Sequence, residues 1–451
     1  MIILGTNSIK AAGGFNVANS YRSGVSGHYL LRNKTTATNV ADLTISVWVK
    51  RSKLTDKTCI ISSWGGDTNN TGSIFFTDGD KLTFEAQTGG SYSANGGVRK
   101  ITTQVFRDVS SWSHLVFQKD DGVYKIYHNG TEITAFDTNT QSSGTNVFSN
   151  ASGNTTVGNE NLAASDHDFQ GYIAEAVLID GQALAPTSFG EFDSDSNIWK
   201  PINVSGLTFG NNGFYLDFED SSAMGNDASG GTDFTLENVS AIDQSTDTCT
   251  NNFATLNPLI FESSSNTFAE GNLKITGGGS DSWTTHYGLS TIAVSTGKWF
   301  VESKVTTVQS AQAILGIIST SQALSGSLKD FGTVCVEKSG RITGGGNNLQ
   351  TGLTAFSNGD IAGAAFDATN GTVQFYRNGS AYGNAVSSIA SDTYYFATTT
   401  YQSGGVIEFN FGSPPYSESG GNSDGDGFGN FSMAVPSGYF ALNTKNLAEY
   451  G

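Results

Sequence analysis

Hydrophobic and polar residues alternate with a period of two along much of the chain. In "LTISVWVK", Ile45, Val47 and Val49 fall on one face, whereas Trp48 falls on the other face together with a Thr and a Ser. The same alternation recurs near the other end of the chain in "VIEFNF". Successive side chains of a β-strand point to opposite faces, so this period predicts half-buried strands rather than helices.

Tight-turn pairs separate these strand-like runs. Asp121-Gly122 and Asn129-Gly130 flank "VYKIYH", and Asn378-Gly379 follows "VQFYR". Asn-Gly supplies positive φ at two adjacent positions, as a type I′ hairpin requires. Short strands joined by such turns form antiparallel ladders. The sequence therefore predicts an all-β fold of two antiparallel, jelly-roll-like β-sandwich domains joined by an ordered connector.

Length and charge narrow the class of protein. A chain of 451 residues is too long for one hydrophobic core and predicts about two or three domains. The formal charge of −18 argues against a nucleic-acid partner, because phosphate binding needs a basic surface. No apolar run reaches the ~18 residues that a membrane span needs, so we predict no membrane insertion. The start lacks a signal-peptide pattern and the three cysteines lie far apart, which predicts synthesis in a cytoplasm without secretion.

The first half resembles laminin-G-like, concanavalin A-like jelly-roll domains. The resemblance rests on "LTISVWVKRS", "SSWSHLVFQKDDGVYKIYHNGTEI" and "VGNENLAASDHDFQGYIAEAVLIDGQAL", which occur in this order within residues 20–195. It implies a two-sheet sandwich of a kind that often binds glycans and sometimes carries calcium at its rim. Residues 1–19 precede this domain, and we interpret them either as an attachment arm or as an ordinary first strand.

The second half resembles a SPRY domain over residues 256–417. The run Gly-Lys-Trp-Phe-x-Glu, the run Gly-Asp-x-x-Gly-x-x-Phe-Asp and a Phe-Tyr-x-Asn-Gly hairpin carry this resemblance in the order that the family shows. It implies a bent sandwich that binds protein partners through its loops. Between the two domains, residues 196–255 are rich in Gly and Asn but also in aromatics, which predicts an ordered connector. The tail, residues 418–451, is expected to pack on the sandwiches.

The combination resembles virion proteins of tailed bacteriophages, particularly marine ones. The segments that carry it are "VANSYRSG", "IDGQALAPTSFGEFD", "GFYLDFEDSS", "NNFATLNPL" and "PSGYFALNTKNL". The resemblance implies a non-enzymatic surface appendage, a tail fibre or head fibre, that recognises host-surface glycan or another receptor through its loops. The alternative is a capsid-decoration or tail component whose main partner is another virion protein. Virion appendages are commonly symmetric homo-oligomers, so we expect an oligomer, with a trimer favoured.

Two tryptophans are candidates for stacking on a sugar, namely Trp48 and Trp64. Each has an alternative interpretation, in which the ring packs against the core or a neighbouring loop. Calcium is the only cofactor with support from the sequence, because acidic and amide oxygens in Gly-rich loops suit a hard cation. The loops concerned lack the closing Glu of an EF-hand. The residues concerned are Asp67, Asp166, Asp168, Asp424 and Asp426.

Enzymatic activity has little support in the sequence. A glycan depolymerase would need two carboxylates facing each other across a cleft. The nearest spacing is Glu191, Asp193 and Asp195 in "EFDSD", which follows the last predicted jelly-roll strand among turn-forming residues. A solvated turn is the ordinary interpretation of that stretch, so we predict no catalytic residues.

Overall fold

The chain divides into two compact units, a first unit over Ala11–Thr250 and a second unit that begins at Asn251. The structure is a computed structural model that describes residues 14–24, 27–145, 147–149, 152–160, 167–260, 266–278, 287–309, 312–322, 333–400, 403–418 and 420–451. Both units are built almost entirely of antiparallel strands, which confirms the predicted all-β fold. No helix within these ranges is long and apolar enough to cross a membrane.

Within these ranges, the first unit contains eighteen strands and three short 3₁₀ turns, at Val147–Ser149, Pro186–Ser188 and Ala241–Asp243. In chain order the strands are β1 Ser20–Ser23, β2 Tyr29–Asn33, β3 Leu43–Arg51, β4 Thr58–Trp64, β5 Thr71–Phe76, β6 Lys81–Gln87, β7 Val98–Val105, β8 Ser113–Asp120, β9 Val123–His128, β10 Thr131–Ile133, β11 Phe136–Gln141, β12 Asn154–Val157, β13 Gly171–Asp180, β14 Gly190–Phe192, β15 Trp199–Pro201, β16 Phe214–Leu216, β17 Thr235–Glu237 and β18 Gln244–Ser245.

Two eight-stranded sheets form the sandwich of the first unit. Sheet A has the order β10-β9-β8-β3-β13-β1-β18, with β16 paired to β13, and sheet B has the order β11-β7-β6-β5-β4-β12-β2-β17. The core between them takes alternate residues from each strand, such as Ile45 and Val47 of sheet A and Ile74 and Phe84 of sheet B. This is the face that the alternation of "LTISVWVK" predicts to be buried.

The predicted tight turns have the expected backbone. Asn129 and Gly130 have φ of 46° and 77°, and Asn378 and Gly379 have φ of 49° and 82°. Each pair connects two antiparallel strands. The left-handed conformation at both positions gives the turn the twist of the strands that it joins. The two Asn-Gly pairs therefore form the turns of two separate hairpins, one in each unit.

The connector segment within the first unit is part of its sheets. Strands β16 and β18 pair with strands of sheet A, and β17 pairs with β2 of sheet B. Buried ion pairs reinforce this arrangement: Arg32 lies 2.9 Å from Asp227, and Lys50 lies 2.7 Å from Asp247. The aromatic residues of this segment join the sandwich core, as Phe214 and Phe234 do.

The second unit contains fourteen further strands and a short helix, α1 Thr444–Tyr450, in the described ranges. Its strands are β19 Thr267–Ala269, β20 Lys274–Thr276, β21 Tyr287–Val294, β22 Lys298–Thr307, β23 Ala313–Ser319, β24 Val334–Glu337, β25 Arg341–Gly344, β26 Asn347–Gln350, β27 Ile361–Asp367, β28 Thr372–Arg377, β29 Ser380–Ala381, β30 Tyr394–Thr399, β31 Val406–Asn410 and β32 Phe440–Ala441.

Two sheets again enclose the core of this unit. Sheet C has the order β19-β20-β31-β22-β27-β28-β29 with β32 paired to β22, and sheet D has the order β21-β30-β23-β24-β25-β26. Ile407, Phe409 and Phe411 are buried in the core between them, on the face predicted from "VIEFNF". The C-terminal tail packs on this unit, because β32 adds a parallel strand beside Trp299 and Phe300 of β22.

Candidate functional site

A row of polar side chains crosses the outer face of sheet B. Ser62, Ser73, Glu85 and Arg99 are successive cross-strand partners on β4, β5, β6 and β7. Cross-strand partners point to the same side of a sheet. The alternate residue Phe84 is buried in the sandwich core, so this row points away from the core. We call this surface of sheet B, together with the side chains that lie over it, the polar face.

The next row of the polar face contains Trp64. Trp64 is the cross-strand partner of Thr71 and of Asn154, and Thr71 is in turn the partner of Gln87. The amide of Gln87 donates a hydrogen bond of 3.0 Å to the Thr71 hydroxyl, which fixes both side chains on this face. Trp64 is partly exposed. Its indole therefore lies on the open side of the sheet, flanked by hydroxyl and amide groups.

A buried carboxylate lies over the centre of the polar row. Glu160 Oε1 accepts a hydrogen bond of 2.7 Å from the Ser73 hydroxyl, and its Oε2 lies 2.6 Å from Nζ of Lys57. The His167 ring is 3.7 Å from the same Oε2. The Lys57 ammonium also lies 4.3 Å from the ring centroid of Phe75, whose side chain covers the adjacent part of the face. Glu160 is thus held in one position by groups from three parts of the chain.

A second carboxylate lies at the other end of the row. Glu85 Oε2 is 3.2 Å from Nε of Arg99, and the Arg99 guanidinium lies over the Tyr92 ring at 5.1 Å. Burial raises the pKa of Glu85, and the cations Arg99 and Lys57 oppose that rise. The Glu85 side chain is only 15% exposed, whereas Arg99 is 44% exposed. Tyr92 therefore places a second aromatic ring beside the charged end of the row.

The polar face combines the groups that sugar recognition uses. Aromatic rings present an apolar surface to the C–H face of a sugar, while hydroxyls, amides and charged groups bind its hydroxyls. Carboxylates accept two or more hydrogen bonds, whereas guanidinium and ammonium groups only donate. Trp64 and Tyr92 supply the rings, and Glu85, Arg99 and Gln87 supply acceptors and donors on the same surface. The face can therefore bind a polar ligand with many hydroxyl groups.

The other predicted tryptophan does not lie on an open surface. Trp48 is 2% exposed and stacks on the His114 ring with 4.7 Å between centroids. His114 in turn stacks on Trp199 of β15 at 5.9 Å. Trp48 does point away from the sandwich core, as its strand position predicts, but the chain after β13 returns to cover this outer face of sheet A. The proposed sugar-stacking role of Trp48 is wrong for that reason.

His114 is the centre of this covered face. Trp199 Nε1 donates a hydrogen bond of 2.9 Å to Nδ1 of His114, and Nε2 of His114 lies 2.8 Å from the Ser46 hydroxyl. With Nδ1 as an acceptor, the ring is neutral and carries its proton on Nε2. Complete burial lowers the pKa of His114 to about 3. The histidine is a structural part of the covered face.

The predicted calcium ligands of the first unit are engaged in hydrogen bonds within the protein. Asp67 accepts from the backbone N–H of Asn69 at 2.8 Å and from the amide of Asn70 at 3.0 Å, within a single exposed turn. Asp168 accepts from the backbone N–H of Gly27 at 3.0 Å and from the amide of Asn159. Asp166 lies outside the described residues. Calcium at these positions stays a hypothesis from the sequence, and an ion there would have to displace these hydrogen bonds.

Asp424 in the second unit binds the C-terminal tail. One of its oxygens accepts from the N–H groups of Asp426 and Phe428, at 3.0 and 2.9 Å. The other accepts from the N–H of Ala441 at 3.0 Å and from the side-chain amide of Asn446 at 2.8 Å. Asp426 accepts from the Tyr450 hydroxyl at 2.8 Å. Among the residues that the structure describes, no three His, Cys, Asp or Glu side chains are grouped as metal ligands.

The acidic stretch after the jelly-roll strands forms a turn. Asp193 accepts hydrogen bonds from the N–H groups of Asp195 and Ser196, and it lies 3.2 Å from Nζ of Lys200. Glu191 also pairs with Lys200, at 3.3 Å. These acids stabilise the β14–β15 hairpin. They provide no pair of carboxylates across a cleft.

The sequence interpretation missed four residues of the polar face, namely Glu85 and Arg99 in the row, Glu160 above it and Tyr92 at its end. Glu85 lies in "KLTFEA", in which hydrophobic and polar residues alternate as in a strand. Nothing in the local sequence shows that Arg99 pairs with it or that Glu160 binds the neighbouring Ser73. Strand β4, which carries Trp64, was not predicted either. Its "TCIISSW" run could have been recognised from its β-branched residues ahead of a Gly-Gly turn.

Comparisons with known proteins agree with this architecture. A family model described as the concanavalin A-like lectin/glucanases superfamily matches residues 23–187. The comparison with curated protein sequences gives no match.

The solved structures that the comparison finds have low sequence identity to this chain. A SAP-like pentraxin from Limulus polyphemus is 17% identical, with a TM-score of 0.29, over 38% of this chain and 80% of its own. The SPRY domain of human HERC1 is 17% identical, with a TM-score of 0.25, over 30% and 87%. Domains LG4-5 of the mouse laminin alpha1 chain are 11% identical, with a TM-score of 0.32, over 90% and 91%. The family match identifies a concanavalin A-like domain within residues 23–187 of the first unit, and a SPRY domain is among the structural neighbours of the chain.

Proposed function

We propose that the first unit binds a glycan on the polar face and that it does so without catalysis. The observation that carries this proposal is the position of Trp64, partly exposed on the outer face of sheet B beside Thr71, Gln87 and Asn154. An aromatic ring surrounded by fixed hydrogen-bonding groups suits a sugar better than an apolar ligand. The family match to lectins and glucanases over residues 23–187 supports the same class of ligand.

We further propose that the chain is a surface appendage of a tailed-phage virion, of the tail-fibre or head-fibre type. The support is the resemblance of its flanking segments to such proteins. In this role the polar face would contact host-surface glycan, and other virion proteins would anchor the chain, which we expect to be a homo-oligomer. Several identical weak sites on one oligomer would raise the overall affinity for a repetitive surface.

The test is the binding of purified protein to host cells and to immobilised cell-envelope glycans. Trp64→Ala should weaken binding by about fivefold or more, since stacking and burial of an aromatic ring contribute on the order of 1–3 kcal/mol. Phe192→Ala is the matched control, because Phe192 is an exposed aromatic at 48% exposure on the β14 strand, away from sheet B. Equal binding by Trp64→Ala and wild-type protein would contradict the proposal.

The alternative role as a capsid-decoration or tail component gives a different result in the same assay. Purified protein would then bind no cells and no envelope glycan, and it would bind disassembled virion proteins instead. A reconstruction of an intact particle would give the position of the chain. Release of reducing sugar from host polysaccharide would instead support a depolymerase.

A further inference from the structure

We propose that the glycan bound by the polar face is uncharged, with recognition through neighbouring hydroxyl groups, and that acidic and sulfated sugars are excluded. This inference rests on the proposed glycan-binding function and specifies its ligand class. It follows from the arrangement of charge on the face. Every strong cation described on this surface already has a carboxylate of the protein as its partner.

Each of the two charge pairs of the polar face is neutral, because its cation is paired with a carboxylate of the protein. Arg99 Nε lies 3.2 Å from Glu85, and Lys57 Nζ lies 2.6 Å from Glu160. The face therefore has two positive and two negative groups in adjacent positions. A sugar carboxylate or sulfate that binds Arg99 or Lys57 would therefore lie close to the protein carboxylate, Glu85 or Glu160, that already pairs with that cation. Like charges in contact at a partly desolvated surface strongly disfavour binding.

Lys81, a further cation on the described outer face of sheet B, is also paired with a carboxylate. Lys81 lies at the end of β6 and forms an ion pair with Asp137, which follows the first residue of β11. His167, the other basic group near the row, lies 3.7 Å from the already paired Glu160. The chain as a whole carries a formal charge of −18, which adds a long-range repulsion toward polyanionic glycans.

The same charge pairs are well suited to uncharged sugars. Two adjacent hydroxyls of a sugar ring can donate to a carboxylate and accept from a neighbouring guanidinium or ammonium group at the same time. Glu85, which is 15% exposed, presents such a pair together with Arg99, whereas at the buried Glu160 only the partly exposed Lys57 ammonium can contact a ligand. The Gln87 amide adds a group that both donates and accepts. Uncharged hydroxyls can use these groups without separating the ion pairs.

The experiment measures the affinity of full-length wild-type protein and of Glu85→Gln for matched oligosaccharides. The probes are galactan and oligogalacturonate, dextran and dextran sulfate, and mannan and oligomannuronate of equal length. Wild-type protein should bind the uncharged member of at least one pair and prefer it by about tenfold or more over the anionic member. Glu85→Gln leaves Arg99 without its carboxylate, so the preference in that pair should fall by about threefold or more.

Salt dependence gives a second measurement that needs no variant. Affinity for the uncharged probe should change by less than about twofold between 50 and 500 mM NaCl, because no net charge is neutralised on binding. Tighter binding of the anionic members by wild-type protein, with a steep fall in salt, would overturn this inference and leave glycan binding intact. Absence of binding to every probe would overturn this inference together with the proposed function.

Discussion

Lys50 of β3 and Asp247, which follows β18, form a buried ion pair of 2.7 Å, and each side chain is 1% exposed. The second oxygen of Asp247 accepts a hydrogen bond of 3.1 Å from the Trp112 indole. The pair therefore joins the central strand of sheet A to the end of the connector segment. It explains why that segment is an integral part of the first unit rather than a free linker.

Removal of one partner of this pair should strongly destabilise the first unit. Asp247→Ala leaves the Lys50 ammonium buried without its carboxylate, which typically costs about 3–5 kcal/mol. Denaturant unfolding followed by circular dichroism measures the effect. Asp56→Ala is the matched control, because Asp56 pairs with Lys53 at an exposed site where its side chain is 49% accessible, and such pairs contribute about 0–1 kcal/mol. If Asp247→Ala lowers the free energy of unfolding no more than the control does, the buried pair does not stabilise the fold.

Acid should destabilise the first unit through His114. The folded pKa of about 3 lies below the ordinary value of about 6.5, so between these values the unfolded chain binds a proton that the folded chain does not. Stability from this group is therefore present above pH 6.5 and is lost as the pH falls toward 3. At pH 5 the loss is about 2 kcal/mol relative to pH 7.

The variant His114→Phe isolates this contribution from that of other titrating groups. Phenylalanine keeps an aromatic ring between Trp48 and Trp199 but cannot take up a proton. The difference in unfolding free energy between pH 7 and pH 5 should be smaller in this variant by about 2 kcal/mol. The same pH dependence in both proteins would contradict a neutral, buried His114.

Asp424 should stabilise the C-terminal tail of the second unit as an acceptor of four N–H groups. In Asp424→Asn, one carboxylate oxygen becomes an amide group whose protons face N–H donors at about 3 Å. Buried N–H donors that face other donors and have no acceptor lower the free energy of unfolding by about 2 kcal/mol or more. Thermal unfolding should show a lower melting temperature, and limited proteolysis should cleave the chain near residues 441–446. An unchanged melting temperature would show that the tail does not depend on Asp424.

Chelation of divalent cations should leave the melting temperature unchanged. The described carboxylates that the sequence suggested as calcium ligands already accept hydrogen bonds inside the protein, as Asp168 does from Gly27 and Asp424 does from Ala441. A bound ion that contributes to folding would raise the melting temperature in proportion to its affinity. Calorimetry with EDTA and with added calcium measures this. A drop after EDTA that calcium reverses would place an ion in the protein.

Local patterns determine much of the fold, because they depend on neighbours in the sequence. The alternation in "LTISVWVK" correctly separates the core face of Ile45 and Val47 from the face of Trp48. The Asn-Gly pairs correctly mark hairpins, because positive φ at both positions is a local backbone requirement. These features follow from strand geometry and turn chemistry alone.

The candidate site depends instead on which strands become neighbours. Ser73 and Glu85 are adjacent through a hairpin, but Glu160 reaches Ser73 from a position 87 residues away along the chain. Trp48 and Trp64 look alike in the sequence, and only the return of the chain through Trp199 buries the first of them. Burial of a side chain by a segment distant in sequence leaves no local sequence pattern. The sequence alone therefore could not distinguish the two tryptophans.

A crystal structure of the full-length protein with its tightest-binding oligosaccharide tests the central claim most directly. The account predicts a sugar ring stacked on the indole of Trp64, with hydroxyl groups within hydrogen-bonding distance of Gln87 and of the Glu85–Arg99 pair. A bound oligosaccharide that contacts another surface and leaves Trp64 unoccupied would contradict the assignment of the polar face as the glycan-binding site.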